Sequence, residues 1–433
     1  MASPPPTTTH IFFLTLFLLT FPSHQTPSWP KAFVLPLSKH APSLQYTTLI
    51  HQGTPPVPVH LVLNLNAQLP WVGCGANYNS SSYQSLHCLS PQCSLAEFSD
   101  TGYCTKQHSC FNDTCILLLK NAFNGKLSKG ELGQDVLRLP STDGFHPGPP
   151  VSVPRFLFSC APDPEFLHGL ASGAKGLVGL GHGHNGLPSQ LSSAFNLTRK
   201  FAVCLPPSAD TDGVLFFGDG PYVLLPNIDV SKLLIYTPLI VKSPLSCSYE
   251  YAIRVKSIMI NGKKTRTVLL NSSLLSVDQI GRGRTKISTI DPYTVLETSI
   301  YNSFTKLYVE EAMAGADVTR VAPVAPFEVC FSAKTANGSV VRPGMPVIDL
   351  VFQSKKVFWR IFETNSMVAV REGVSCLAFL DGGLNPSASI VIGGYQLQDN
   401  FIQFDLESLR FGFTSSLLSR QTSCANFDFS TGV

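Results

Sequence analysis

Residues 61–71 read LVLNLNAQLPW, an apolar run that stops at Asn64-Leu65-Asn66, shortly before a proline and a tryptophan. Short apolar runs that end in turn-forming residues are typical of buried β-strands. Similar runs recur along the chain between Gly, Pro, Ser and Asn residues, among them TTLIH, GVLFFG, YAIRVKSIMI and SIVIGG. We therefore expect a mainly β protein in which this turn closes one strand.

The composition is that of a globular protein. The 433 residues are 44% hydrophobic and 14% charged, so the chain is long enough for two domains with sizeable cores. Its net charge of +3 is weak, and no basic run with interleaved aromatic residues occurs, which argues against a nucleic-acid partner. Helical patterns are few, and the clearest cover Glu297–Ala316 and Leu187–Phe195.

A weak internal repeat organises the chain. GLVGLG (176–181) and IVIGG (390–394) are apolar strands that end on glycines. Each follows, at a distance of about 110 residues, another interrupted strand: LVLNLNAQLPW in the first case and KISTIDPYTVL (286–296) in the second. The repeat predicts two copies of one architecture, the alternative being coincidence among glycine-rich strands.

The N-terminus predicts secretion. Residues 11–21 read IFFLTLFLLTF, an apolar core of signal-peptide length that is too short to span a bilayer. We expect a signal peptide over residues 1–25, no membrane span, and a secreted product. The sequence also contains Asn-x-Ser/Thr sequons, which are candidate glycosylation sites in a secreted protein, at Asn79, Asn112, Asn196, Asn271 and Asn337.

Secretion also decides how the cysteines are interpreted. Their number is twelve, an even count that suits a disulfide framework, and paired CxxC spacings of the kind that bind zinc do not occur. We expect no metal and no cofactor. The pairing itself does not follow from the sequence.

These features resemble a pepsin-type, two-lobed aspartic protease fold, with two β-rich lobes around a central cleft. In that family each lobe contributes an Asp-Thr/Ser-Gly turn, followed about 110 residues later by a strand that ends in glycine. LVLNLNAQLPW resembles the first turn and its strand, and IVIGGYQLQDNFIQFDLESLRFGF resembles the closing segment of the second lobe. The resemblance implies an N-terminal lobe over residues 26–220 and a C-terminal lobe over residues 221–433.

The catalytic residues of that family are replaced here. Two carboxylates in contact share one proton, so that one activates water while the other protonates the carbonyl oxygen. The alignment places Asn64 and Ser288 at the two aspartate positions. Asp291 is an alternative second acid, but Pro292 and Tyr293 follow it and it would lack a partner. The resemblance therefore implies an inactive peptidase homologue.

A narrower resemblance is to plant xylanase-inhibitor-like proteins, extracellular dermal glycoproteins, glucanase inhibitor proteins and basic 7S globulins. The stretches that carry it are WVGCGANYNSSSYQSLHCLSPQCS, VPRFLFSCAP, GLVGLGHGHNGLPSQLSSAF and TSCANFDF. This subgroup implies a secreted, apoplastic, disulfide-bonded defence protein that inhibits a microbial glycoside hydrolase. The alternatives are a seed or extracellular binding globulin without an enzyme target, and a residual aspartic endopeptidase.

The subgroup also implies a disulfide framework. A bridge is expected between Cys204 and Cys424 and another between Cys330 and Cys376, with the cluster Cys74–Cys115 internally bridged and Cys160 tied to the first lobe. Cys247 is left either with a new partner or as one of two free thiols. The half-cystines implied are Cys74, Cys88, Cys93, Cys104, Cys110, Cys115, Cys160, Cys204, Cys330, Cys376 and Cys424.

The inhibitor resemblance points to one loop. In the xylanase inhibitors a loop just before the last cysteine carries a histidine that plugs the enzyme cleft, whereas the matching segment here, TSSLLSRQTSC, has none. We expect an exposed contact loop formed by Leu417, Leu418, Ser419, Arg420 and Gln421. Arg420 could pair with the catalytic carboxylates of a glycosidase, although a solvated arginine is an equal alternative. The missing histidine favours an endo-β-1,4-glucanase or xyloglucanase over a xylanase.

Overall fold

A computed structural model of the protein describes residues 1, 29–75, 78–95, 108–241, 249–275, 283–333, 335–336, 339–340 and 344–430. The expected signal peptide, Cys104, Cys247 and Asn337 lie outside these residues. Within them, no helix is both long and apolar enough to cross a membrane.

Strands dominate the chain, as expected. In the first half they are β1 (Ala32–His40), β2 (Gln45–Gln52), β3 (Val57–Asn64), β4 (Trp71–Gly73), β5 (Gln84–Ser85), β6 (His108–Phe111), β7 (Thr114–Lys120), β8 (Leu127–Thr142), β9 (Pro147–Ala161), β10 (Gly176–Gly179), β11 (Lys200–Cys204), β12 (Gly213–Gly218), β13 (Val223–Leu224) and β14 (Ile228–Asp229). In the second half they are β15 (Ile235–Pro238), β16 (Ala252–Ile253), β17 (Ser257–Ile260), β18 (Thr267–Leu269), β19 (Thr285–Ile287), β20 (Thr294–Leu296), β21 (Val318–Val321), β22 (Cys330–Ala333), β23 (Thr335–Ala336), β24 (Ser339–Val340), β25 (Ile348–Val351), β26 (Phe358–Ile361), β27 (Met367–Arg371), β28 (Val374–Leu377), β29 (Phe379–Asp381), β30 (Ile390–Ile392), β31 (Phe401–Asp405) and β32 (Arg410–Phe413).

The two helices predicted from the sequence are present as α2 (Leu187–Phe195) and α4 (Thr298–Gly315), and the other helices are short. The helices are α1 (Pro91–Ser94), α2 (Leu187–Phe195), α3 (Ser272–Leu275), α4 (Thr298–Gly315), α5 (Glu363–Ser366) and α6 (Gly394–Leu397). Helix α4 begins after Glu297, whose carboxylate accepts hydrogen bonds from the backbone N–H groups of Ser299 and Ile300 at 2.9 and 3.2 Å. Such a cap satisfies backbone donors that have no partner inside the helix.

The internal repeat is a structural repeat. In the first half, β10 pairs in parallel with β3 and antiparallel with β4, which in turn pairs in parallel with β9. In the second half, β30 pairs in parallel with β19 and antiparallel with β20, which pairs in parallel with β29. The two glycine-terminated strands therefore hold the same place in two equivalent motifs, and coincidence is excluded.

A shared sheet joins the two halves. Its strand order is β15-β32-β31-β11-β12-β1, so strands from both ends of the sequence are hydrogen-bonded side by side. Phe201 on β11 stacks on Phe404 on β31 with ring centroids 4.7 Å apart. The burial of these rings and their neighbours makes one continuous core, which fixes how the two turns face each other.

Disulfides secure both halves. Within the described residues the bridges are Cys74–Cys160, Cys88–Cys110, Cys93–Cys115, Cys204–Cys424 and Cys330–Cys376. The Cys204–Cys424 bridge spans 220 residues and ties the C-terminal segment to the shared sheet, where both sulfurs are buried.

We expect the double variant Cys204→Ala/Cys424→Ala to lower the free energy of unfolding by about 2–4 kcal/mol, because the reduced unfolded chain regains the entropy of a long loop. Denaturant titration of the purified protein measures this loss. The matched control is Cys330→Ala/Cys376→Ala, whose loop spans only 46 residues. Removing the longer loop should cost roughly 1 kcal/mol more, and equal or reversed losses would contradict the entropic explanation.

Candidate functional site

The two turns predicted from the sequence meet at the centre of the molecule. Asn64 ends β3, and Ser288 follows β19 directly. Both side chains are buried. The backbone N–H of Ser288 donates to the carbonyl of Ile392 at 2.9 Å, and the N–H of Leu180 donates to the carbonyl of Asn64 at 3.0 Å. Each turn is thus seated against the glycine-terminated strand of its own motif.

Thr289 connects one turn to the other. Its hydroxyl donates to the carbonyl of Leu63 at 2.9 Å and accepts from the N–H of Leu65 at 3.4 Å. Both bonds are buried and cross from the second half of the chain to the first. Buried backbone groups need hydrogen-bond partners. The Thr289 hydroxyl supplies a partner to two backbone groups of the first turn and thereby fixes the position of that turn.

The reciprocal connection is made by a different residue. Leu65 stands opposite Thr289 and has no hydroxyl to donate. Instead the Asn66 side chain donates from Nδ2 to the carbonyl of Ile287 at 2.9 Å and accepts at Oδ1 from the N–H of Tyr251 at 3.2 Å. The Asn66 amide therefore joins the two halves.

Asn64 is used inside its own turn. Its Oδ1 accepts a hydrogen bond from the N–H of Asn66 at 2.9 Å, which is the usual way in which an asparagine side chain closes a turn. A carboxamide has no acidic proton and no basic oxygen near neutral pH. The Asn64 side chain therefore stabilises the backbone of its own turn.

Ser288 has the equivalent structural role. Its Oγ accepts from the N–H groups of Ile290 and Asp291, both at 3.1 Å. Asp291, the alternative acid, lies in the same turn, where its backbone carbonyl accepts from the N–H of Gly394 at 2.9 Å. Among the described residues, no carboxylate is hydrogen-bonded to the side chain of Asn64 or Ser288.

Tyr251 lines the junction between the turns. Its hydroxyl donates to the carbonyl of Leu180 at 2.6 Å. Burial raises the pKa of Tyr251 well above its ordinary value, so the phenol stays protonated and acts as a hydrogen-bond donor. The described residues include no group of three or more metal-ligating side chains placed to hold an ion.

The expected contact loop is only partly exposed. Residues Leu417–Arg420 form a single 3₁₀ turn, in which Leu417 is fully buried and Leu418 is 45% exposed. The expectation that Leu417 belongs to an exposed contact surface is therefore wrong. Its side chain packs with Cys204, Cys424 and Phe401 in a core cluster, and its N–H donates to the carbonyl of Asp399 at 2.7 Å. Ser419, Arg420 and Gln421 are exposed.

Hydrogen bonds connect the segment around this turn to two segments with exposed apolar residues that sequence reasoning missed. Leu225 is exposed, and its carbonyl accepts from the Thr422 hydroxyl at 2.6 Å. Phe145 is also exposed and lies next to Gly144, whose carbonyl accepts from the N–H of Val223 at 2.9 Å. We name Phe145, Leu225, Leu418 and Arg420 the C-terminal surface. The sequence does not reveal this surface, because its residues come from three segments that are far apart in the chain.

Comparisons with known proteins match the two halves of the chain separately. The family models described as xylanase inhibitor N-terminal and xylanase inhibitor C-terminal match residues 46–219 and 250–415. Probable aspartic proteinase GIP2 of Nicotiana benthamiana is 48% identical over 97% of this chain and 98% of that protein. Gamma conglutin 1 of Prunus dulcis is 41% identical over 97% of this chain and 96% of that protein.

Solved structures show the same fold. The crystal structure of edgp superposes with a TM-score of 0.85 at 46% identity, covering 94% of this chain and 100% of that chain. The structure of conglutin gamma, a basic 7S globulin from lupine seeds, gives a TM-score of 0.79 at 37% identity over 93% of this chain and 100% of that chain. With both halves matched and relatives similar over nearly their whole length, the chain belongs to the xylanase-inhibitor-like family of pepsin-type folds, together with the gamma conglutins and basic 7S globulins.

Proposed function

We propose that this protein is a secreted, catalytically inactive aspartic-protease homologue that inhibits a microbial glycoside hydrolase in plant defence. The observation that carries the proposal is the combination of two turns in which Asn64 and Ser288 take the aligned aspartate positions and an exposed Arg420 two residues after the exposed Leu418. The xylanase-inhibitor family models support an inhibitor function, and the absence of a histidine from TSSLLSRQTSC favours an endo-β-1,4-glucanase or xyloglucanase as the target.

Secretion to the apoplast or cell wall is part of this proposal. Two observations support it: the apolar signal-peptide pattern at residues 11–21, and the five disulfides among the described residues, since disulfides persist in oxidising compartments. The lobe boundary near residue 220 is likewise part of this proposal. The shared sheet takes strands from both sides of that boundary.

The inhibitor mechanism is a steric and electrostatic plug. Glycosidase active sites contain two carboxyl groups on either side of the scissile bond. The Arg420 guanidinium can form two parallel hydrogen bonds with one of them, while Leu418 covers an adjacent apolar surface. The 3₁₀ turn is held by the buried Leu417 and by the Cys204–Cys424 bridge, so little chain entropy is lost on binding.

A second candidate function is binding or storage without an enzyme target. Its support is the 41% identity with gamma conglutin 1 of Prunus dulcis. Incubation of the purified protein with secreted microbial glycoside hydrolases, followed by recovery of complexes and activity assays, separates the two candidates. Recovery of a complex with loss of hydrolase activity favours the inhibitor. A panel of glucanases, xyloglucanases and xylanases that stays unbound and fully active favours the globulin.

Peptidase activity should be absent. We expect the purified protein to leave a denatured protein substrate uncleaved between acidic and neutral pH, because Asn64 and Ser288 cannot share a proton. The variant Asn64→Asp should remain inactive for the same reason, since one carboxylate does not form the pair. Pepstatin-sensitive cleavage by the unmodified protein would contradict the proposal, and an active aspartic protease serves as the positive control.

Arg420→Ala should weaken inhibition of the target hydrolase by about 2–5 kcal/mol, mainly through faster dissociation, because a buried charge pair loses one partner. Inhibition constants and dissociation rates measure the effect. The matched control is Arg371→Ala, another exposed arginine at the end of β27, which should leave the inhibition constant unchanged. Unfolding midpoints of both variants should equal that of the unmodified protein. A normal inhibition constant for Arg420→Ala would place the contact elsewhere.

A further inference from the structure

An exposed aromatic ring stands at the tip of the hairpin formed by β6 and β7. Phe111, the last residue of β6, is 69% exposed. The tip is held by the Cys88–Cys110 bridge and by a hydrogen bond from the N–H of Cys88 to the carbonyl of Asp113 at 2.8 Å. The Phe111 ring is therefore open to contact by a group that covers it, and covering its apolar surface would be favourable.

The turn at this tip has a specific geometry. Asn112 and Asp113 form a two-residue connection with φ angles of 48° and 63°, which is the left-handed pair typical of a type I′ hairpin turn. Phe111 and Thr114 flank the turn and are paired in the antiparallel ladder. Directly paired residues place their side chains on the same face of a hairpin. The Phe111 ring and the Thr114 side chain therefore lie together beside the exposed Asn112.

Phe-Asn-Asp-Thr at residues 111–114 is also a sequon that follows an aromatic residue. Two other sequons share this feature, Tyr78-Asn79 and Phe195-Asn196, and the second of these reads Phe-Asn-Leu-Thr. By local sequence, the Asn112 and Asn196 sites are therefore nearly identical.

The structure separates these sites. Phe195 is only 9% exposed and packs against Phe33 and Trp29, with ring centroids 5.0 and 5.8 Å away. Asn196 caps the C-terminal end of helix α2, so Thr198 is not paired across a hairpin.

Tyr78 is likewise committed to other partners. Its hydroxyl donates to Asp135 at 2.6 Å, and its ring packs on Phe158 at 5.8 Å. Of the three aromatic rings that precede a sequon asparagine, Phe111 is therefore the one with an open face.

We propose that Asn112 carries an N-linked glycan whose first N-acetylglucosamine packs on the ring of Phe111. The apolar C–H face of the sugar matches the electron-rich face of the ring, and the N-acetyl methyl group reaches the same surface. The inference rests on the proposed secretion, because the modification takes place in the secretory pathway. In this proposal, Phe111 positions the sugar.

The transfer uses a lipid-linked oligosaccharide pyrophosphate as donor. One N–H bond of the Asn112 side-chain amide is replaced by a bond from Nδ2 to C1 of N-acetylglucosamine. The C1–O bond to the lipid pyrophosphate breaks, and the leaving pyrophosphate keeps the bonding electron pair while the amide proton is released.

The test uses the full-length chain secreted from a eukaryotic host in which glycans are kept in the high-mannose form. Peptide mapping by mass spectrometry reads the occupancy of each sequon. Endoglycosidase H then trims each occupied site to one N-acetylglucosamine, whose N-acetyl methyl resonances are recorded by NMR. We expect Asn112 to be occupied and one methyl resonance to be shifted upfield by the ring current of Phe111.

Variants assign that resonance. Asn112→Gln should abolish it, and Phe111→Leu should move it to the position of an uncovered sugar while the sequon stays intact. Asn196→Gln is the matched control and should leave it unchanged.

Two results would overturn the inference. An unoccupied Asn112 in a protein glycosylated at other sequons would refute it and leave secretion standing, whereas a chain without any glycan would count against both. An occupied Asn112 whose methyl resonance ignores Phe111→Leu would refute the packing on the ring.

Discussion

The structure depends on hydrogen bonds that satisfy the buried backbone groups of two turns. These turns face each other at the junction of the two halves. Thr289 supplies the central bond, since its hydroxyl both donates to the carbonyl of Leu63 and accepts from the N–H of Leu65. Without such a connection, strand ends inside the core would leave backbone groups unpaired at a cost of about 1–3 kcal/mol each. The connected turns then hold the two halves in a fixed position, and the strands β1, β11, β12, β15, β31 and β32 of the shared sheet pair across them.

This requirement is met here by turns whose own side chains are an amide and a hydroxyl. The geometry depends on hydrogen bonds to the backbone, and Asn64 and Ser288 accept theirs without a carboxylate. Asn64 and Ser288 close their own turns through Oδ1 and Oγ, while Asn66 makes the link to Ile287 that Leu65 cannot make. Chemistry and architecture are therefore separable here, because one depends on two acids and the other on satisfied amides.

The proposed functional surfaces lie away from this junction. The C-terminal surface is built around a turn that is held by the buried Leu417 and the Cys204–Cys424 bridge, and the β6–β7 hairpin is held by the Cys88–Cys110 bridge. In both places a covalent crosslink keeps a small exposed segment rigid. Rigid segments lose little conformational entropy when they are covered by a partner or by a sugar. In the two functions we propose for these surfaces, the disulfides serve recognition as well as stability.

Much of the molecule can be predicted from the sequence alone. Alternation of short apolar runs with turn residues indicated the β-rich fold, the positions of Gly179 and Gly393 indicated the repeat, and the pattern from Glu297 to Ala316 indicated helix α4, because these signals depend on neighbouring residues. The stretches LVLNLNAQLPW and KISTIDPYTVL also predict that both catalytic positions of the peptidase family are replaced, and this stays a prediction. The tertiary structure alone decided that Leu417 is buried, that Asn66 bridges the halves, and that Phe111 is exposed whereas Phe195 is not. Each of these depends on partners far away in the chain, and the exposure of a side chain is set by what packs against it, which no local pattern records.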